Sequence, residues 1–192
     1  MTVDGAQKIL VVEDDAVTRA RLAFLLRKNG YQVEVTEDGE AGWAAFRAGH
    51  FPIVLTDWSM PGLSGPDLVR RIREYDQELY TYLILITGKS DKAHIATGLE
   101  AGADDYVTKP FDSGELLARL RTGWRILSLQ ERMREAQRKL HELASRDGLT
   151  GVLNRRALEE RLAEAFHFFQ RRGPPPSLLM LALDHFKHIN NT

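Results

Sequence analysis

Three carboxylates, one hydroxyl and one ammonium stand at the ends of four separate apolar runs. They belong to Glu13, Asp14, Asp57, Thr87 and Lys109. If the runs are neighbouring strands of one parallel sheet, their carboxyl ends share one edge and the five side chains converge. Carboxylate oxygens suit a divalent cation such as Mg²⁺, and an ammonium adds positive charge for an anionic group. The pattern therefore predicts a site that holds a divalent cation and a phosphoryl group.

Short apolar runs alternate with amphipathic stretches from residue 8 to about residue 121. We expect strands over 8–12, 31–35, 52–56, 81–86 and 104–107. We expect helices over 15–28, 39–48, 65–74, 91–100 and from 112 onward, with Asp15 and Asp38 as caps. Three of the runs are continuous, as in strands that helices cover on both faces. The pattern predicts a doubly wound α/β fold with a five-stranded parallel sheet.

Composition excludes several classes of protein. The 192 residues carry a formal net charge of −1 and no cysteine, which excludes disulfides and thiolate metal sites and gives no bulk signal for nucleic-acid binding. The longest apolar stretch, residues 178–183, is far shorter than the roughly 20 residues that span a bilayer. Residues 1–7 lack the pattern of a signal peptide. We expect a cytoplasmic protein with no membrane or nucleic-acid partner.

Each candidate residue also has an ordinary structural explanation. Asp15 is better explained as a helix cap than as a ligand, and Asp57 alone would fit a turn before residues 60–62. Thr87 alone would be a loop hydroxyl, and Lys109 alone a surface cation. Their joint placement at strand ends is what favours a functional site.

Four segments resemble the receiver domain of two-component response regulators. They are VVEDD at 11–15, LTDWSMPG at 55–62, ITG at 86–88 and YVTKPF at 106–111. The resemblance covers about residues 7–122 and implies a flavodoxin-like sheet in the order 2-1-3-4-5. It also implies that Asp57 accepts a phosphoryl group from the phosphohistidine of a histidine kinase or phosphotransfer protein.

The resemblance further implies a Mg²⁺ site. Asp14, Asp57 and the backbone carbonyl of Ser59 would hold the ion, and Glu13 would act mainly through a metal-bound water. The ion would offset the repulsion between the carboxylates and the phosphoryl oxygens. Lys109 would supply positive charge on the opposite side of the phosphoryl group, and the bond from Lys109 to Pro110 resembles the family's cis bond.

Four positions are assigned to switching and to the lifetime of the phosphorylated state. Once Asp57 is modified, Thr87 can donate its hydroxyl to a phosphoryl oxygen, and Tyr106 could swing into the vacated space. Ser59 and Lys89 lie two residues beyond Asp57 and Thr87. We hypothesise that Ser59 and Lys89 tune the lifetime of the acyl phosphate by controlling the access of water.

A charged helix continues beyond the first region. Its apolar residues recur at alternating steps of three and four, at Ile126, Leu129, Met133, Ala136, Leu140 and Leu143. Two and a half heptads are fewer than a secure coiled-coil assignment needs, so an amphipathic helix packed on its own chain is the alternative. Because the seam is narrow and its flanks are charged, we favour a stalk that pairs two chains. We expect a homodimer that forms through this stalk or through the receiver face.

The last segment resembles the opening of the GGDEF domain, the diguanylate cyclase module. The matching stretches are DGLTGVLNRR at 147–156 and DHFKHINN at 184–191. A helix is expected over about 155–171 and a strand over 178–183. The resemblance covers about residues 143–192, and the chain ends before the signature loop, so we expect an incomplete and degenerate fragment.

Within that fragment, Ala182 occupies a position where the resemblance implies a metal-ligating aspartate, and only Asp184 of that pair remains. Lys187 would contact a triphosphate and Asn190 a guanine. A methyl group cannot ligate Mg²⁺, so we expect no cyclase activity from this chain, only self-phosphorylation and dephosphorylation of the receiver.

We therefore divide the chain into a phosphoacceptor receiver domain at 1–122, a helical stalk at 123–146 and a GGDEF-like fragment at 147–192. The main alternative is a piece, or a degenerate relative, of a receiver-regulated cyclase that makes cyclic di-GMP from GTP. A DNA-binding regulator is a weaker third hypothesis, because no helix-turn-helix pattern follows residue 122.

Overall fold

In this computed structural model, the described residues are 7–75, 80–88 and 97–170, with positions 174, 175, 177 and 179 beyond them. The chain divides into two compact units, Met1–Arg132 and Met133–Thr192. Most of the helix predicted over 91–100 lies outside the described residues, although 97–100 is helical. The strand predicted over 178–183 also lies outside them, apart from position 179.

A five-stranded parallel sheet forms the centre of the first unit. Its strands are β1 (Lys8–Val12), β2 (Gln32–Thr36), β3 (Ile53–Asp57), β4 (Tyr82–Thr87) and β5 (Asp105–Thr108). The order β2-β1-β3-β4-β5 confirms the predicted doubly wound α/β fold. Four strands begin and end one residue later than predicted, because pairing continues into polar residues: Asp57 pairs with Ile86, and Thr87 pairs with Thr108.

Five named helices accompany the strands. They are α1 (Ala16–Lys28), α2 (Gly39–Ala48), α3 (Gly65–Tyr75), α4 (Ser113–Ser145) and α5 (Arg155–Gln170). The predicted caps are confirmed, since Asp15 and Asp38 each accept a backbone N–H three residues further on at 2.7 Å. None of the helices among the described residues is both long and apolar enough to cross a membrane.

Two layers of core side chains cover the sheet. Alternate residues of each strand point to opposite faces, so Leu10 joins the layer under α2 and α3, and its neighbour Ile9 joins the layer under α1 and α4. The central strands β1, β3 and β4 are therefore buried on both faces. This explains why their sequences are continuously apolar, and it leaves their ends as the place for polar chemistry.

The first turns of α4 are fixed against the first unit. Leu116 and Leu120 are fully buried. A Cβ on Gly123 would lie 2.6 Å from the ring of Tyr82, so only glycine allows this close approach. One residue later, Trp124 stacks on Tyr31 with ring centroids 6.4 Å apart and planes within 7°.

The predicted seam further along α4 is exposed. Leu129, Met133, Leu140 and Leu143 have exposed fractions of 55%, 64%, 66% and 77%. These apolar side chains are exposed among the described residues, and the pairing of two chains along the seam remains a prediction.

The second unit contains a tightly hydrogen-bonded turn between α4 and α5. The Asp147 carboxylate accepts the backbone N–H and the hydroxyl of Thr150 at 2.9 and 2.7 Å. Asn154 donates to the Ala144 carbonyl at 2.7 Å and caps α5 by accepting from Ala157 at 3.0 Å. Helix α5 confirms the predicted helix to within one residue. Its residues Phe166, Phe168 and Phe169 are between 44% and 63% exposed.

Candidate functional site

The carboxyl edge of the sheet gathers the polar residues that the sequence places at strand ends. Val12 of β1 is level with Thr56 of β3, and Thr87 of β4 is level with Thr108 of β5. The residues that follow or end these strands are Glu13, Asp14, Asp57, Thr87 and Lys109. Parallel pairing in this register delivers their backbones to one edge, as predicted.

Three carboxylates form a cluster at this edge. Oxygen atoms of Glu13, Asp14 and Asp57 all lie within 4.8 Å of one another. Glu13 is fully buried and Asp57 is 6% exposed, whereas Asp14 faces solvent. Two negative charges at this separation repel by on the order of 3 kcal/mol near a protein surface. The cluster therefore favours a cation.

Lys109 supplies part of that positive charge. Its Nζ lies 2.8 Å from Oδ1 of Asp57 and 2.9 Å from Oε1 of Glu13. Burial by itself lowers the pKa of Lys109, but its hydrogen bonds to Asp57 and Glu13 and their negative charges outweigh burial and raise the pKa. The ammonium thus stays charged at neutral pH. The Lys109-Pro110 bond is cis, as the resemblance implies.

One ammonium does not satisfy the whole cluster. Burial, assisted by the charge of Asp57, raises the pKa of Glu13 despite the hydrogen bond from Lys109. Oε2 of Glu13 lies 2.8 Å from Lys109 Nζ but makes no hydrogen bond of normal geometry. A buried carboxylate oxygen without a hydrogen bond, beside two further carboxylates, fits a hard divalent cation with oxygen ligands.

Thr87 and Tyr106 lie on the adjacent strands β4 and β5. Thr87 ends β4 and is 1% exposed, and its carbonyl accepts the backbone N–H of Lys109 at 2.7 Å. Tyr106 pairs with Leu85, two residues before Thr87, and its half-buried side chain packs against the core layer under α2 and α3. The guanidinium of Arg119 lies over the Tyr106 ring, 5.5 Å from its centroid.

The remaining predicted site residues are only partly described. Ser59 is exposed in the loop that follows Asp57. Lys89 lies outside the described residues, as do four positions of the C-terminal fragment, namely Ala182, Asp184, Lys187 and Asn190. The roles assigned to them remain predictions.

Two residues that the sequence did not single out also shape the site. Arg19 of α1 donates from one guanidinium nitrogen to the carbonyls of Glu13 and Asp14, at 2.7 and 2.9 Å. Gly65 opens α3 directly against β3, where an added Cβ would lie 2.1 Å from the Asp57 carbonyl oxygen. The Gly-Pro pair that starts α3 was a usable signal for Gly65; Arg19 had none.

Two family models match the chain. The response regulator receiver domain matches residues 9–121, and the diguanylate cyclase GGDEF domain matches residues 144–192. The first match covers the sheet, apart from its first residue Lys8, and every described residue of the acidic edge. The second begins at the end of α4 and runs through the turn and α5.

Individual proteins agree with the first match. The transcriptional regulatory protein CseB of Streptomyces avermitilis is 45% identical over 113 residues, which are 59% of this chain and 47% of CseB. The chain spans about half the length of curated relatives such as this one.

Solved structures agree as well. The receiver domain of sensor histidine kinase PA1611 from Pseudomonas aeruginosa, with magnesium coordinated in its active site cleft, is 30% identical with a TM-score of 0.57. That match covers 62% of this chain and 97% of PA1611's domain. The BeF3-activated receiver domain of DrrB is 36% identical with a TM-score of 0.57, over 63% of this chain and 99% of its own.

Proposed function

The chain belongs to the response regulator receiver family, and from this premise we propose that Asp57 accepts a phosphoryl group from a partner's phosphohistidine. The observation that carries the proposal is the contact of Lys109 with both Asp57 and Glu13 inside a cluster of three carboxylates. A histidine kinase or a phosphotransfer protein would supply the group.

The proposed transfer is a displacement at phosphorus. An oxygen of Asp57 attacks, a P–O bond forms, the P–N bond to the donor histidine breaks, and the imidazole leaves with that electron pair. Asp57 suits the role because it is largely buried, which limits access of water to the acyl phosphate, yet borders the exposed Asp14. Lys109 already contacts Asp57 and can move onto a phosphoryl oxygen while keeping its bond to Glu13.

The cluster is proposed to hold Mg²⁺. Asp14, Asp57 and the backbone carbonyl of Ser59 would be its protein ligands, with Glu13 acting from its buried position through water. When bound, Mg²⁺ offsets the negative charge that the carboxylates and the phosphoryl oxygens bring together. The magnesium reported in the PA1611 receiver domain supports this proposal.

Thr87 and Tyr106 are proposed to form the switch. The hydroxyl of Thr87 would donate to a phosphoryl oxygen on Asp57, and the ring of Tyr106 would turn further inward. Their adjacent strands and the half-buried position of Tyr106 support this role. The similar DrrB receiver domain was solved in a BeF3-activated form, which supports a receiver that has a distinct active state.

The output is proposed to be a change in pairing between two chains. We retain the division into a receiver at 1–122, a stalk at 123–146 and a GGDEF-like fragment at 147–192. The exposed apolar seam of α4 supports pairing along the stalk, since an apolar stripe on a charged helix is buried most simply by a second copy.

Intact-mass measurement with a small-molecule phosphodonor and MgCl₂ tests the proposal. The wild-type protein should gain the mass of one phosphoryl group, and Asp57→Asn should gain none. Asp67→Asn is the matched control, because Asp67 is an exposed aspartate of α3 that pairs with Arg70. Incorporation that survives Asp57→Asn would refute the assignment. Light scattering of each sample reports pairing.

The proposed tuning by Ser59 and Lys89 has its own test. The rate at which the labelled protein loses its phosphoryl group should change when both residues become alanine. An unchanged rate would remove the two residues from the proposal.

A second candidate function is a receiver-regulated diguanylate cyclase, and the match of the GGDEF domain to residues 144–192 favours it. Ala182 weighs against it, because the resemblance implies a metal ligand there and alanine offers none. Incubation with GTP and Mg²⁺ decides the matter. Cyclic di-GMP as a product would establish the cyclase, and its absence would support a receiver that signals through pairing.

A further inference from the structure

We propose that Arg19 is a positioning residue that orients the acidic loop for Mg²⁺. The inference rests on the proposed function, because it assumes that Glu13, Asp14 and Asp57 receive the ion. Arg19 does not touch Asp57 or Lys109 in any described contact; it acts on the backbone that carries the other two carboxylates.

The geometry of α1 explains how Arg19 reaches the loop. The backbone N–H of Arg19 donates to Asp15, the cap of α1, at 2.9 Å. Side chains on a helix lean toward its amino end, so the guanidinium extends back past the cap. There Nη1 bridges the carbonyls of Glu13 and Asp14. These two hydrogen bonds fix the peptide planes on either side of the Asp14 Cα, and with them the direction in which the Asp14 side chain leaves the backbone.

A second, weaker contact lies on the other side of the guanidinium. Nη2 of Arg19 lies 4.0 Å from a carboxylate oxygen of Glu37, in the loop after β2. The backbone N–H of Glu13 itself donates to the carbonyl of Thr36, the last residue of β2, at 3.2 Å. The acidic loop is thus held from α1 on one side and from the end of β2 on the other.

Charge alone would give Arg19 the opposite effect. A cation near the amino end of a helix opposes the helix dipole, and a cation beside a divalent-ion site repels that ion. If Arg19 acted only through its charge, its removal would strengthen Mg²⁺ binding. If it positions the loop, its removal weakens binding. The sign of the change therefore separates the two roles.

The experiment is a titration of each ¹⁵N-labelled full chain with MgCl₂, followed through the backbone amide signals of Asp14 and Trp58. Arg19→Ala should weaken Mg²⁺ binding about tenfold, the usual effect of removing a group that orients metal ligands. Arg19→Lys keeps the charge but replaces the rigid guanidinium with a flexible ammonium, which should hold the two carbonyls less firmly, so its affinity should fall between those of wild type and alanine.

Arg27→Ala is the matched control. Arg27 lies on the same helix and also donates to a strand carbonyl, that of Val33 at 3.1 Å, away from the acidic edge. Its removal should leave Mg²⁺ affinity unchanged. Thermal unfolding of all variants reports whether the fold persists, and Arg19→Lys decides the matter if Arg19→Ala does not fold.

Each outcome has one meaning. Weaker binding in Arg19→Ala with an unchanged Arg27→Ala supports the positioning role. Equal or tighter binding in Arg19→Ala overturns it and leaves the metal site intact. If MgCl₂ causes no saturable change in the amide signals of the wild-type protein, the proposed Mg²⁺ site is wrong, and so is the role of Arg19.

Discussion

The two edges of the sheet in the first unit both bring a cation to carboxylates, and they do so differently. At the amino edge, Arg73 donates to the carbonyls of Gly102 and Thr81 and to Asp104, at 2.8, 2.7 and 2.6 Å. Asp104 also accepts from the backbone of Leu83 at 2.7 Å and from the Tyr80 hydroxyl. At the carboxyl edge, one ammonium faces three carboxylates.

The difference separates a structural network from a candidate functional site. The amino edge is satisfied: every polar group just named there has a partner, so it contributes stability. The carboxyl edge keeps a buried Glu13 oxygen without a hydrogen bond and a carboxyl group whose pKa burial has raised. Negative charge that is not compensated lowers the stability of the fold but raises its affinity for a cation. Functional sites commonly lose stability in this way.

The largest expected effect is at the amino edge. Arg73→Ala should lower the free energy of unfolding by about 3 kcal/mol, because it removes the cation that pairs with Asp104 and the donor to two carbonyls in a partly buried site. Arg70→Ala, three residues earlier on α3, removes only an exposed pair with Asp67 and should cost less than about 0.5 kcal/mol. Urea unfolding measures both. Equal losses would show that the network is not stabilising.

Next in size is Gly65→Ala, which crowds the carboxyl edge without changing its charge. The added methyl group would meet the Asp57 carbonyl at 2.1 Å and Leu85 at 3.0 Å, so we expect a loss of about 2 kcal/mol. Gly88→Ala is the control, since a Cβ at that position would have no atom of the described residues within 4 Å. Chemical denaturation of the two variants gives the comparison; similar stabilities would contradict the close approach.

A smaller effect, of opposite sign, is expected from Glu13→Gln. Burial raises the pKa of Glu13, so the folded protein ionises this carboxyl group less readily than the unfolded chain does. Above pH 4.5, the charge of Glu13 therefore lowers the free energy of unfolding. Removing that charge should raise the free energy of unfolding at pH 7 when divalent cations are absent. Denaturation in the presence of a chelator tests this. If Glu13→Gln is instead less stable than the wild-type protein, the charge of Glu13 is well compensated and the carboxyl edge resembles the amino edge.

The smallest expected effect is the pH dependence of the turn at Asp147. Asp147 is exposed and its pKa is lowered, so it contrasts with the buried Glu13. Hydrogen bonds from the hydroxyl and backbone of Thr150 lower the pKa of Asp147 below the ordinary 3.8. Its stabilisation of the turn is therefore complete above pH 3.8 and is lost as the pH falls through the lowered value. The Thr150 amide signal should move in that range. Asp147→Asn keeps an acceptor and should abolish the pH dependence.

Much of the first unit could be predicted from residue patterns. Runs such as Ile9 to Val12 are continuous because both faces of the strand are covered, and their ends are polar because the sheet edge is open. From this pattern we predicted that Asp57 and Lys109, 52 positions apart in the sequence, lie close together, and the structure places them in contact. It misplaced the ends of four strands by one residue, since it took the first polar side chain as the end of pairing.

Side-chain contacts between separate helices, strands and loops could not be predicted from the sequence. Arg73 and Asp104 are separated by 31 residues and belong to no periodic pattern. Arg19 is one of several basic residues of α1, and only the path of the preceding loop distinguishes it from Arg27. Whether the α4 seam pairs with a second chain also depends on a surface outside this chain, so pairing remains a prediction.

The stack of Tyr31 on Trp124 gives the protein an intrinsic optical probe at the base of its long helix. The indole Nε1 of Trp124 is buried and makes no hydrogen bond, an environment in which indole emission depends strongly on local polarity. Any tilt or unwinding of α4 at that residue would part the two rings and admit water. A fluorescence difference between the wild-type protein and Trp124→Phe would therefore follow the helix base in real time, without an added dye.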